Sequence, residues 1–207
     1  MKNELIVNQS QDSKPVVKQD GQHNIYVENH ATVNLNVSNS RLGNMSIAGL
    51  LRKLKSLDNE YYNLLVTLED LSQQDYITVS TERALTKDTV PEEIYENCSN
   101  LSDEAIERLM TYPAIICNEN TDYYGKTNPE QKAIYAVITK IKKHGKQIRV
   151  YFQPIDTFEQ QKLIDYAFDF DLDMDCAITD LNRSWWLVKK VNLAEVFIDV
   201  GIEMGNC

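Results

Sequence analysis

The amino-acid sequence predicts an α+β fold: an N-terminal β-strand element, a heptad-patterned helix, and a C-terminal antiparallel sheet or small barrel with flanking helices. Three patterns carry that expectation. Residues 25–37 alternate between apolar and polar side chains. Residues 47–71 set apolar side chains at alternating steps of three and four. Two further apolar runs, 133–143 and 147–153, flank His144-Gly145, a tight-turn pair. The 207 residues, 43% hydrophobic and 25% charged, are close to globular averages, which sets aside wholesale disorder.

The first part, 1–20, is read as a flexible arm because it is polar throughout. Its opening, MKNELIVNQSQDSK, lacks the apolar core of a secretory leader. No stretch approaches the roughly 18 apolar residues of a membrane span. The expected location is the cytoplasm, without membrane association. Residues 21–45 form the second part. Ile25, Val27, Ala31, Val33, Leu35 and Val37 fall on one face of a strand, and Asn29-His30 is a possible turn that would divide it. A two-stranded hairpin is marginal alone. Its apolar face therefore calls for a cover, and other copies of the chain are the favoured one.

Residues 46–75 are read as an oligomerising helix. Ile47, Leu54, Tyr61 and Leu68 share one heptad position, and Leu50, Leu57, Leu64 and Leu71 the next. Leu51 and Leu65 widen the stripe, which favours a trimer over a dimer; the alternative is an amphipathic helix lying on its own core. Residues 76–111 read as a helical linker, with a short strand at Tyr76–Ser80, a helical turn started by Pro91 and a second helix capped by Ser102.

The α+β domain spans 112–207. Ala114–Asn118 is a buried strand and 121–129 a turn-rich loop. The hairpin 133–153 precedes a helix at 157–168. A strand at 185–191 leads to a last helix capped by Asn192 and closed by Gly201. Ile115, Ile116, Ile134, Ile138, Ile148, Val150, Leu163 and Phe197 are the expected core.

Charge is unevenly placed. The chain carries −10, yet residues 126–151 hold seven basic side chains and one acidic. An acidic surface argues against duplex DNA as a partner. The basic hairpin inside it, with Lys140, Lys142, Lys143, Lys146 and Arg149 beside aromatic residues, suits a small anionic ligand such as a nucleotide. Lys142, Lys146 and Arg149 are the expected anion contacts, Tyr124 and Trp186 the stacking surfaces, and Arg183 of the Asn-Arg-Ser-Trp-Trp segment a further contact. The alternative is that these cations only neutralise the acidic segment 152–175.

The sequence holds no phosphate loop, dinucleotide fingerprint or zinc-protease helix. Cys98, Cys117, Cys176 and Cys207 are too scattered for a zinc site. Asp169, Asp171, Asp173 and Asp175 alternate as in a calcium loop, but Met174 and Asp180 stand where such a loop needs Gly and Glu. No catalytic residue, metal or cofactor is assigned.

Residues 21–37, GQHNIYVENHATVNLNV, resemble Asn-rich segments at the front of bacterial conflict-system proteins, including anti-phage defence components. In those proteins the segment precedes an effector or sensor domain and looks like an assembly element. The stretches AIICNENTDYYGKTNPEQKAIYAVITKIKK and LNRSWW resemble a bacterial domain with no named activity. The resemblance implies a defence or counter-defence setting; the leading expectation within it is an oligomeric, non-enzymatic binding or adaptor module with a protein partner from the same operon. The rival expectation is a metal-dependent enzyme processing nucleotides or phosphoesters with Asp169–Asp175 and the basic hairpin.

Overall fold

A six-stranded mixed sheet organises the chain. The computed structural model describes residues 24–26, 32–34 and 46–203, apart from 73, 123, 124 and 176. The arm 1–20, Tyr124 and two of the four cysteines, Cys176 and Cys207, lie outside the described residues. Strands β1 (Asn24–Tyr26) and β2 (Thr32–Asn34) pair antiparallel on either side of Asn29-His30, with Ile25 opposite Val33. The main sheet is built from β3 (Tyr62–Thr67), β4 (Tyr76–Ser80), β5 (Pro113–Asn118), β6 (Lys132–His144), β7 (Gln147–Glu159) and β10 (Trp185–Lys189), in the order β10-β3-β5-β6-β7-β4. Only β3 and β5 run parallel. The segment between them provides the long crossover that parallel pairing requires. It holds β4 and helices α2 (Glu92–Cys98) and α3 (Asp103–Thr111).

The heptad helix is corrected. Helix α1 covers only Ile47–Lys55, capped by the Ser46 side chain, which accepts from Gly49 N at 3.2 Å. The Asp58 carboxylate then accepts from Glu60 N at 2.9 Å, and Asp58 N donates to Thr111 O at 2.9 Å, so the chain turns and ties to the end of α3. The next apolar residues form β3, a strand buried on both faces. Tyr61 and Leu65 enter one core with α2 and α3, while Tyr62, Leu64 and Val66 enter the opposite one. The widened leucine stripe is thus two core faces of one molecule, and the seam proposed for a trimer is used up inside the chain. Leu50, Leu54 and Leu57 cover Val137 and Ile155 on the outer side of β6–β7. Leu71 is half-buried against the first core, and Leu68 is 70% exposed.

The second core holds α4 (Gln161–Asp165) and α5 (Leu193–Asp199), where Phe197 meets the rings of Tyr135 and Phe158 edge-on. The expected helix at 157–168 is short because β7 continues to Glu159, with Phe158 opposite Ala133 and both buried. A two-residue hairpin pair, β8 (Met174–Asp175) and β9 (Ile178–Thr179), follows α4. All eight residues expected in the core are buried. The sheet is not a closed barrel: a single bridge from Ala84, beyond β4, to Trp186 on β10 links its two edges. No helix of the described residues is long and apolar enough to cross a membrane.

Candidate ligand-binding face

The β6–β7 hairpin turns at Gly145, whose positive φ of +58° suits a residue without Cβ. Ile141, Ile148, Val150 and Ile77 point into the first core. Their alternates on β6, β7 and β4 therefore share the outer face. Register places Lys142 opposite Arg149 and Arg149 opposite Thr78, with Lys140, Tyr151 and Tyr76 as the neighbouring row. A register shift between Ile138 and Lys140 inserts one extra residue in β6. That bulge puts Lys140 and Lys142 on the same side as Val137, so α1 lies on this face too, one row further along. Arg52, Lys53 and Lys55 make α1 basic, with no acidic residue among its nine. Partial burial lowers the Lys53 ammonium below the usual lysine range.

The two tyrosines form the centre of the face. Their ring centroids lie 5.4 Å apart with a tilt of 46°. The Arg149 guanidinium sits 5.0 Å from the Tyr76 centroid, and the Lys142 ammonium 5.9 Å from that of Tyr151. Such contacts hold a cation in place without neutralising it. Among the described residues, Lys140, Lys142, Lys143 and Arg149 make no ion pair, whereas exposed Lys146 pairs with Glu82 at 3.6 Å. No close ion pair among the described residues joins these cations to the acidic segment 152–175.

The structure brings together Lys142 and Arg149 and sets Lys146 at the hairpin tip, but removes Trp186. That indole is fully buried, and its Nε1 donates to Asn63 Oδ1 at 2.9 Å. On β10 the even positions face the first core, so Trp185 is the partly exposed member of the pair. Arg183 is exposed just before β10, beside Ser184, whose carbonyl accepts from Arg83 beyond β4 at 3.5 Å, and stands outside the rows of β6, β7 and β4. Tyr76 was missed. Its place depends on β4 pairing with β7, Tyr76 opposite Tyr151 across 75 positions of sequence, which no local pattern announces.

The acids proposed for metal chemistry face solvent: Asp169, Asp171, Asp173 and Asp175 are all exposed. Among the described residues no group of three or more His, Cys, Asp or Glu is placed to hold a metal ion. The buried polar groups elsewhere act on the fold. Asp180 and Lys189, with side chains only 5% and 8% exposed, pair at 2.8 Å, and Asp180 also accepts from Asp173 N at 2.9 Å. Gln160 donates to Asn118 O at 2.8 Å and Asn120 Oδ1 at 3.1 Å, and Asn182 donates to Asn120 O at 2.9 Å, pinning the loop after β5. Burial raises the Cys98 thiol and pushes that of Cys117 up to about 12, which leaves both unreactive. Comparison with protein families, with curated proteins and with solved structures finds no match to this chain, so a functional reading starts from the geometry of the outer face.

Proposed function

We propose that the chain is a non-enzymatic binding module that takes a phosphate-bearing ligand on the outer face of β6, β7 and β4. The cations attract the phosphate and the tyrosines receive a planar ring. The observation that carries this reading is the seating of Arg149 and Lys142 over Tyr76 and Tyr151 with no carboxylate partner among the described residues. Cations kept for the fold would be expected beside acids, of which the chain has a surplus. The module belongs in the cytoplasm, in the conflict-system setting that the amino-terminal resemblance implies, with an operon partner as a further ligand. Self-association in this proposal rests on residues 21–45, since the leucines of 50–64 are used in the chain's own core.

Charge reversal at Lys142 and Arg149 tests the binding face. Both side chains are exposed, so the double variant should melt with the wild type while losing nucleotide-dependent thermal shifts. A lowered melting temperature, or binding that survives both reversals, overturns the assignment. Light scattering of the full chain against one starting at Ser46 tests the assembly role, and a monomeric full chain overturns that part.

A further inference from the structure

Resting on that reading, we infer that the ligand is a single-stranded nucleic acid and not a free nucleotide. The rows Lys142–Arg149 and Lys140–Tyr151–Tyr76 succeed one another along three paired strands. A sheet face touches a ligand from one side only, whereas small-molecule sites usually bury about 70–90% of the ligand. A mononucleotide here gains one stacking contact and one or two phosphate contacts. A strand laid along the rows gains all of them together, with bases on Tyr76 and Tyr151 and successive phosphates on Arg149, Lys142 and Lys140. The rings at 5.4 Å are neighbours without stacking flat on each other, and each carries a cation over one face, so a base stacks there by displacing or overlying that cation as it moves to a phosphate. Duplex fits poorly, because its bases are already stacked and cannot reach the tyrosines. The basic helix α1, packed on Val137 of the same face, extends the track at one end, and the hairpin tip closes it at the other, where Lys143, opposite Ile148, belongs to the reverse side. Asp75, whose carbonyl accepts from Phe152 N, and Glu82 beside Lys146 bound it. The bound length is therefore short, at the low end of the roughly 4–16 nucleotides typical of single-strand modules.

Fluorescence anisotropy with labelled dT12 and rU12, the matching dodecamer duplex, unlabelled ATP and polyglutamate as competitors tests this on the full chain. Both single strands are expected to bind, and the better of the two identifies the sugar preferred. Three neutralised phosphates give a log–log salt slope of about −2, and Lys142→Gln should reduce its magnitude by about 0.7. Tyr76→Leu and Tyr151→Leu should each weaken binding by about fivefold or more, with Tyr76→Phe restoring it and circular dichroism unchanged throughout. ATP binding as tight as dT12, duplex binding as tight as single strand, or equal competition by polyglutamate overturns the single-strand assignment. The first of these leaves the phosphate-binding face standing. Binding of neither oligonucleotides nor ATP overturns both.

Discussion

At the scale of single residues, one ion pair among the described residues is buried inside the fold. The Asp180–Lys189 pair is almost wholly buried, so losing one partner leaves an unpaired ion in an apolar setting. Lys189→Met should destabilise by about 3–5 kcal/mol, and adding Asp180→Asn should recover a large part of it. Urea unfolding of the two variants reads the difference, and equal losses would contradict the pairing. Cys117 gives the pH-dependent counterpart. Its thiol is held neutral up to about 12, while the unfolded thiol ionises in the ordinary range. That contribution to stability is complete below the ordinary thiol range and is lost as pH rises toward the folded value. Alkylation at pH 8 with peptide mapping should leave Cys117 unlabelled until denaturant is added. Labelling of Cys117 in the native protein would show that its burial is not tight.

At the scale of elements, the alternation of β6 and β7 and the caps of α3 and α5 were legible, because each is decided within a few neighbouring residues. The helix running through 58–71 was not there to be read. A short apolar run such as Tyr61-Tyr62-Asn63-Leu64-Leu65-Val66 satisfies steps of three and four as readily as a strand buried on both faces. Asp58-Asn59 was the available stop signal, and two aromatics with a β-branched residue the available strand signal. Two leucines of the same former stripe now separate the readings. Leu64→Ala should cost about 2–5 kcal/mol, since Leu64 is fully buried in a central strand. Leu68→Ala should stay within about 0.5 kcal/mol, because that side chain is 70% exposed. Thermal melts of the pair check this, and equal costs would restore a shared helical seam. The candidate face was half legible for a related reason. Lys142 and Arg149 sit on one hairpin, but the tyrosine pair depends on which strand lies at the hairpin's far side.

At the scale of the whole molecule, the sheet is covered on both faces at β3, β5 and the outer-helix ends of β6 and β7, and bare on one only at β4 and the hairpin end of β6 and β7. The charge contrast follows that division: the segment 126–151 supplies the bare face, and the acidic segments flank it in sequence. Strand order also sets a timetable. β6 and β7 join through a two-residue turn and can pair as soon as they are synthesised, whereas β10 must return across more than a hundred residues to reach β3. Mutations at Ile141 or Val150 should therefore slow refolding in stopped-flow measurements, while Leu187→Ala should chiefly speed unfolding. The reverse pattern would place the nucleus at the sheet centre. Tyr76 arrives on the hairpin only when β4 docks, after β7 exists, although β4 was made long before it. A nascent chain thus carries its lysines early and its paired rings late, so the outer face is complete only once the sheet is assembled.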